Sequence, residues 1–310
     1  MNAHWDILGI GAVAVDDLLY VARYPQPDSK LPVLAKRREG GGLTATALVA
    51  ASRLGARAAY ATVLGNDELS RFSIEELERE GVDCTSIQRE PEARPFHSTI
   101  IVDQATGSRT ILYSAEGVTS LRPAEVTETL ISGCRVLFVD NRAIEAGVRA
   151  AELAHSRGIP VVGDIEPEIG PEALDLMRHI DHLIIGIELA GQVTGESRPE
   201  RIVGALAGSE RACCVVTAGE QGCWYSEWGR AVEYLPAFRV QVVDTTGCGD
   251  VFHGAYAACL AQGESVAAAI RVAAVAAALK ATQPGGRTGI PNRAAVDDFL
   301  VKHKPGSPAR

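Results

Sequence analysis

The segment at residues 243–256, VDTTGCGDVFHGAY, places two glycines and an aspartate at the start of an apolar stretch. Gly247 and Gly249 let successive backbone amides turn toward one point, and the amino end of a following helix adds partial positive charge. This loop, with Cys248 between its glycines, is therefore suited to holding a phosphate or a developing oxyanion. Asp250, where we expect the helix to begin, could take a proton from a hydroxyl that attacks a bound phosphoryl group, or could simply cap the helix. The spacing leaves both interpretations open.

Composition narrows the classes of protein to consider. The chain has 310 residues, of which 46% are hydrophobic and 22% charged, and a formal net charge of −9. This length can bury a large core, and the acidic balance gives no basic surface for nucleic acid. No apolar run approaches the ~20 residues of a membrane span, so we expect neither nucleic acid nor membrane as a partner. Seven cysteines without metal-ligand spacing predict reduced thiols and a cytoplasmic protein.

The order of apolar runs predicts the fold class. Short β-branched runs alternate with segments of helical periodicity, such as 68–81 and 143–158, which indicates a doubly wound α/β fold with a mainly parallel sheet flanked by helices. The predicted strands lie within 5–13, 58–64, 135–140, 159–165, 182–187 and 212–219. A pair of helices is predicted over 254–282.

Two segments interrupt the alternation. Residues 17–39 and 96–113 each predict a strand, a turn and a second strand, and we expect them to form a small β lid over the carboxyl ends of the main strands, where ligands bind in such sheets. No repeat or linker indicates a second unit, so a single domain is predicted over 1–310. The exposed strand edges of the lid could pair with those of a second copy across a two-fold axis, so we predict a homodimer.

Residues 244–254, DTTGCGDVFHG, resemble the signature D-T-x-G-A-G-D-x-F-x-G of the ribokinase-like (phosphofructokinase-B) family of carbohydrate kinases, with cysteine for the usual alanine. Three further segments, 39–83, 215–225 and 283–291, resemble family segments in the same order. The resemblance implies an enzyme that uses ATP and Mg²⁺ to phosphorylate a hydroxyl of a small sugar, most simply a ketohexose or an anionic sulfo- or phospho-ketose. Nucleoside or ribose kinase activity and a non-catalytic sugar or nucleotide sensor are the alternatives.

The same resemblance assigns roles to individual residues. It implies that Asp250 is the base and that the backbone of Gly247, Cys248 and Gly249 forms the anion hole. Asp16 corresponds to the carboxylate that holds sugar hydroxyls, although without the resemblance it would be taken for an ordinary polar residue at the start of the lid. Further substrate positions are Gly41, Gly42 and Thr46. Positions on the nucleotide side are Thr217, Gly219, Gly222, Thr245, Gly285 and Gly286.

Some positions depart from the family pattern. Leu43 and Thr46 stand where many members have asparagines after the paired glycines, and Gly186 replaces the asparagine of the N-x-x-E motif. Glu188 is the acidic residue near that motif, and no metal ligand is assigned on this basis.

Three basic residues are candidates for a negatively charged part of the substrate. Lys30 and Arg142 match positions that face the far end of the sugar in the sulfofructose kinase and ketohexokinase-like branch, which this chain resembles most. Lys30 could equally be an ordinary surface lysine, and Arg142 could equally form an ion pair at the end of a strand. Arg109, in the second lid segment, is a candidate for binding the sugar phosphate or closing the lid, or is a surface charge.

A dinucleotide-binding oxidoreductase is a weaker hypothesis from another class. The segment GIGAVAVDD at 9–17 begins like a G-x-G-x-x-G motif, but Ala14 stands where the third glycine is required. That fold also requires an acidic residue at the end of its second strand, and no clear second strand here ends in one. The sequence therefore favours the kinase.

Overall fold

The strands form three sheets in the computed structural model, which describes residues 4–106, 108–167 and 170–303. In chain order the strands are β1 (Trp5–Ile10), β2 (Ala14–Val21), β3 (Ala35–Gly41), β4 (Ala58–Ala61), β5 (Val63–Leu64), β6 (Gln88–Arg89), β7 (Phe96–Asp103), β8 (Arg109–Ser114), β9 (Cys134–Asp140), β10 (Val161–Ile165), β11 (His182–Gly186), β12 (Cys213–Thr217), β13 (Cys223–Glu227) and β14 (Glu233–Leu235).

The helices connect and cover these strands. They are α1 (Leu43–Arg53), α2 (Glu68–Arg79), α3 (Glu128–Ser132), α4 (Ile144–His155), α5 (Pro171–Arg178), α6 (Ile187–Thr194), α7 (Pro199–Ala207), α8 (Cys248–Ala261), α9 (Val266–Lys280) and α10 (Arg293–Lys302). No helix in the described ranges is long and apolar enough to cross a bilayer.

The main sheet has eight strands in the order β14-β13-β12-β11-β10-β9-β1-β4. The six from β12 to β4 run parallel, and β13 and β14 add antiparallel strands at one edge. Side chains alternate between two apolar clusters, so that Ile7 packs with α1, α8 and α9, whereas Leu8 packs with α4, α5 and α7. The predicted α/β fold with helices on both faces is confirmed.

A second sheet of four strands has the order β3-β2-β7-β8, with β2 antiparallel to β3 and parallel to β7. Its strands lie largely in the segments 17–39 and 96–113, although β2 begins at Ala14 and β3 reaches Gly41. Gly107, in the turn between β7 and β8, lies outside the described residues.

The start of α8 differs from the sequence-based expectation. The helix was expected from about Asp250, but it begins at Cys248 because Gly247 adopts φ +74° and turns the chain directly into the helix. Asp250 therefore lies in the first turn and is not the capping residue. The predicted helix pair of the carboxyl-terminal third is present as α8 and α9.

The contact of α1 with α8 is close enough to require glycine. A methyl group added to Gly254 would lie 2.0 Å from the carbonyl oxygen of Ala47, so α8 packs directly on the backbone of α1. Each helix is preceded by a glycine at the N-cap position, Gly42 for α1 and Gly247 for α8, and the packing of the helices holds these two starts in place.

We expect Gly254→Ala to lower the free energy of unfolding by about 1–3 kcal/mol, because the added methyl forces the two helices apart. Gly204→Ala is the matched control, since Gly204 lies in α7 with no atom within 4 Å of the added methyl. The control should gain about 0.5–1 kcal/mol from helix propensity. Urea denaturation measures both changes, and equal stability of the two variants would contradict the close packing.

Candidate active site

The amino end of α8 presents unused backbone donors. The amide of Cys248 donates to the carbonyl of Thr245 (3.2 Å) and that of Val251 to Gly247 (2.9 Å), whereas the amides of Gly249 and Asp250 make no hydrogen bond to any described residue. A methyl group added to Gly249 would meet no atom within 4 Å, so the space in front of this turn is open. Two free amides at a helix amino end are suited to bind an anion, and this first turn of α8 is called the anion site below.

Asp244 fixes the loop that leads into this turn. Its Oδ1 accepts from the amide (2.8 Å) and hydroxyl (2.7 Å) of Thr246, and its Oδ2 accepts from the amide of Gly285 (2.9 Å). Its own amide donates to the carbonyl of Ala281 (3.1 Å), and its carbonyl accepts from Nζ of Lys280 (2.9 Å). Every polar group of Asp244 thus has a partner, which defines the backbone path toward the anion site.

The carboxylate of Asp250 opens into a cavity of about 170 Å³ between α8 and the second sheet. Burial raises the pKa of Asp250 well above its usual range, and the nearby carboxylates of Asp164 and Glu166 raise it further. A carboxylate of raised pKa beside free amides is suited to accept a proton during attack on a bound phosphoryl group. The cavity is lined by Ala12, Ala14, Gly42, Leu43, Phe96, Ser98, Ile111, Tyr113, Arg142 and Asp250.

Asp164, at the end of β10, is a buried carboxylate close to this group. Its Oδ2 has no hydrogen-bond partner among the described residues and lies 3.4 Å from Nδ1 of His253. The His253 ring also contacts two carbonyl oxygens, with Nδ1 2.7 Å from Gly249 and Nε2 3.1 Å from Ile184. Asp164 therefore has an oxygen available on the side of the sheet where Asp250 lies.

Asp16, on β2, lies against the paired glycines. Its Oδ2 is so close to Gly41 that a methyl group on that residue would lie 2.2 Å from it. Burial raises the pKa of Asp16, whereas a hydrogen bond from Ser98 and the charge of Arg287 lower it. Gly42 has φ +91°, and a methyl group there would lie 2.6 Å from Cα of Val13. The structure thus brings Asp16, Gly41 and Gly42 together.

Arg287 is a buried member of the site that the sequence analysis missed. Its Nη2 donates to the carbonyl of Gly41 (2.7 Å) and its Nε to Oγ1 of Thr46 (3.2 Å). Burial lowers the pKa of the guanidinium, while Asp16 and Asp250 raise it. Thr46, predicted to bind substrate, is buried and engaged by this arginine. The clue was the arginine within the glycine-rich segment QPGGRTGIP, but sequence alone did not reveal partners about 240 residues away.

Asp140, at the end of β9, was also missed. Its Oδ2 accepts from the amide of Ala12 (2.7 Å) and the hydroxyl of Thr44 (2.7 Å), and its Oδ1 accepts from the amide of Arg142 (2.8 Å). This fully buried carboxylate joins three segments around the cavity. It places Arg142, a predicted substrate residue, in the cavity wall.

The two other basic candidates differ in location. Arg109, on β8, is exposed, yet its charge influences the pKa values of Cys248 and Lys280, so it lies within electrostatic range of the anion site. Lys30 is exposed in the connection between β2 and β3 and makes no hydrogen bond or ion pair with any described residue. The structure therefore brings Arg109, but not Lys30, to the catalytic side.

The residues predicted on the nucleotide side lie around the end of β12 and in the loop after α9. Thr217 ends β12, and the following turn contains Gly219 (φ +54°) and Gly222 (φ +91°). Thr245 is exposed beside the anion site.

The amides of two other predicted nucleotide residues are already engaged. The amide of Gly285 donates to Asp244, and that of Gly286 donates to Oε2 of Glu39 (3.0 Å). These two glycines can therefore offer a nucleotide their backbone surface but no free amide donor.

Comparison with known proteins agrees with this arrangement. Residues 7–293 match the family model described as pfkB family carbohydrate kinase. The chain therefore belongs to the pfkB family of carbohydrate kinases, which confirms the resemblance and the class of enzyme.

Individual relatives extend the similarity along the chain. A ribokinase of Haemophilus influenzae is 26% identical over 301 residues, which cover 94% of this chain and 97% of the relative. A protein of Agrobacterium tumefaciens provisionally assigned as a ribokinase has a crystal structure with TM-score 0.88 and 28% identity, covering 97% of this chain and 98% of that one. A structure from E. coli assigned in the same way as ribokinase II, in complex with ATP and Mg²⁺, shares the fold with TM-score 0.81 and 22% identity, covering 96% of this chain and 99% of that one.

We expect Arg287→Met to raise the KM for the sugar by at least tenfold, because the carbonyl of Gly41 and the hydroxyl of Thr46 lose their donor. The charge of Arg287 lowers the pKa of Asp250, so its removal should raise that pKa and move the acid limb of kcat/KM to higher pH.

Kinase assays across pH measure both effects. Arg271→Met, at an exposed position of α9, serves as the control and should behave like the wild type. An acid limb that stays in place or moves to lower pH in Arg287→Met would contradict the electrostatic role.

Proposed function

We propose that the protein transfers the γ-phosphoryl group of ATP to a hydroxyl of a small sugar. One observation carries the proposal: Asp250 and two free amides share the first turn of α8 and open into a cavity whose other side includes Gly42 and Ser98. A base and an anion site at one point are what in-line phosphoryl transfer requires.

In this mechanism Asp250 accepts the proton of the attacking hydroxyl, which hydrogen-bonds to its carboxylate. The amides of Gly249 and Asp250 stabilise the charge that develops on the transferred group, aided by the partial positive charge of the helix. Asp16 holds the sugar hydroxyls, and Arg109 adds positive charge from the second sheet. Covering of the cavity by that sheet excludes water, which would otherwise compete as the acceptor.

The residues present fit a magnesium ion that arrives with ATP. No group of three or more acidic, histidine or cysteine residues in the described ranges could hold a metal ion alone, so the phosphates must supply part of its coordination. Asp164, with its unpartnered Oδ2, and Glu166 are the carboxylates near Asp250 that would face the ion. When bound, magnesium neutralises phosphate charge.

The valines just before the loop of residues 244–249 offer a surface for the nucleobase of ATP. Val242 and Val243 are both exposed and apolar.

The cavity supports a monosaccharide as the acceptor. Its volume of about 170 Å³ is below the roughly 300–1,000 Å³ of pockets for drug-sized ligands. Because the relatives are named ribokinase and deoxyribokinase, ribose or a similar pentose is the first candidate. An anionic ketose is the second candidate, and the position of Arg142 in the cavity wall favours it.

The outer edge of the second sheet supports the homodimer. Three consecutive residues of β8, Ile111, Leu112 and Tyr113, are 47%, 56% and 58% exposed. β8 is an edge strand with unpaired backbone groups on its outer side. Pairing with a second copy would cover both the apolar side chains and the edge.

We also propose a cytoplasmic location, because all seven cysteines are free thiols and reduced cysteines are typical of that compartment.

We expect Asp250→Asn to lower kcat by about 100-fold or more while the binding of sugar and ATP changes little, because the amide cannot accept the proton. Steady-state kinetics and calorimetric titration measure the two effects. Asp298→Asn, at an exposed position of α10, is the matched control and should keep full activity. Near-normal turnover in Asp250→Asn would show that this residue is not the base. If none of the tested sugars is phosphorylated by the wild-type enzyme, the kinase proposal is contradicted.

A panel of ribose, deoxyribose, fructose, sulfofructose and nucleosides separates the substrate candidates. If ribose is the substrate, it should give the highest kcat/KM, and Arg142→Gln should affect all sugars alike. If the substrate is an anionic ketose, Arg142→Gln should lower kcat/KM by at least tenfold for anionic sugars only. Lys30→Gln is the control, since the structure leaves Lys30 without a contact to the cavity.

A further inference from the structure

Lys280, the last residue of α9, is a buried lysine that the proposed mechanism does not use. Its side chain is fully buried, and Nζ donates to the carbonyl oxygen of Asp244 at 2.9 Å. Lysine is rarely buried completely, because removing an ammonium from water is costly unless polar partners replace the water. The burial of a lysine at this position therefore calls for a physical explanation.

Polar groups around Lys280 partly offset the cost of burying its charge. Burial has the largest effect and lowers the pKa of Lys280, and Arg109 lowers it further, whereas the carboxylates of Asp244 and Glu39 raise it. The residue also ends α9, where the helix dipole places partial negative charge. An ammonium is thus supported by a carbonyl, two nearby carboxylates and a helix terminus.

This ammonium lies directly behind the anion site. The carbonyl that it binds belongs to Asp244, whose other polar groups fix Thr246, Gly285 and the end of α9. Three residues after Asp244, Gly247 turns the chain into α8. Moving the carbonyl of Asp244 would therefore move the loop whose next turn carries the two free amides.

The proximity of Lys280 to Cys248 gives a second link. Cys248 is the first residue of α8, and its Sγ lies 3.5 Å from the carbonyl of Ala277, one turn before the end of α9. The ends of the two helices thus pack together at the anion site. The charge of Lys280 acts to lower the pKa of Cys248, so it is felt at the first residue of α8.

We propose that Lys280 is a positioning residue for phosphoryl transfer, with its buried ammonium acting as a permanent internal cation that holds the loop of residues 244–249 and adds positive charge behind the two free amides. Lys280 does not touch the substrate. Because the lysine already supplies a monovalent positive charge there, the loop needs no exchangeable cation from solution. The inference rests on the proposed kinase activity.

The first experiment uses the wild-type enzyme with its best sugar in tetramethylammonium buffer at constant ionic strength. Potassium, sodium or ammonium chloride replaces the tetramethylammonium salt in steps. Activity should change by less than twofold in every series. Activation of tenfold or more by any of these small cations would overturn the proposal, and this outcome leaves the sugar kinase activity itself intact.

The second experiment compares Lys280→Met, which keeps the length of the side chain without its charge, with Lys280→Ala, which leaves a space. Lys280→Met should lower kcat at least tenfold with the KM for the sugar within twofold of wild type. Lys280→Ala should recover activity when ammonium or methylammonium is added. Lys302→Met, at the exposed last turn of α10, is the matched control and should behave like the wild type. A folded Lys280→Met enzyme with wild-type kcat would overturn the proposal.

Thermal melting tests the same inference without turnover. The Tm of Lys280→Ala should rise in ammonium or potassium relative to tetramethylammonium, whereas the Tm of the wild type should not. Equal Tm values of Lys280→Ala in all salts would overturn the internal-cation role. If no sugar is phosphorylated by the wild type but these Tm shifts appear, the proposed function fails and the role of Lys280 in holding the loop stands.

Discussion

The packing of α8 on the backbone of α1 is the constraint on which the site depends. Gly254 has no room for a side chain against the carbonyl of Ala47, so the separation of the two helices is fixed by main-chain contact. The N-cap residue of α1 is Gly42, which follows the Gly41 that contacts Asp16, and α8 carries Asp250 in its first turn. One close contact in the core thus helps to set the distance between Asp16, the proposed sugar ligand, and Asp250, the proposed base.

Several ionisable side chains around the cavity are buried and lie within electrostatic range of one another. Burial raises the pKa values of Asp16, Asp164 and Asp250, and Arg287 is the buried guanidinium that lies among them. Each of these carboxylates, when ionised, opposes a bare nucleotide and favours one whose phosphates carry a divalent cation. In the proposed mechanism the raised pKa of Asp250 makes its carboxylate a better proton acceptor.

Local sequence was sufficient to predict the α/β architecture and the loop around Asp250, because alternation of strands and helices and a glycine-bounded turn are encoded by neighbouring residues. The exact start of α8 was wrong by two residues, since Gly247 in a left-handed conformation replaces a side-chain cap. Arg287, Asp140 and Lys280 could not be assigned from the sequence. The long-range partners of these residues lie 36 to 246 residues away, so only the folded chain shows why they are buried.

The connection between β1 and β2 attaches the second sheet firmly to the main sheet. The carbonyl of Gly11 accepts from the hydroxyl of Tyr60 (2.7 Å), and the amide of Ala12 donates to Asp140, so both residues are fastened to the main sheet. β2, which carries Asp16, starts at Ala14, only two residues later. Within the second sheet, Asp16 therefore lies close to this attachment. The outer strand β8, with Arg109, lies two strands farther out, so a tilt of the sheet about the attachment would displace Arg109 more than Asp16.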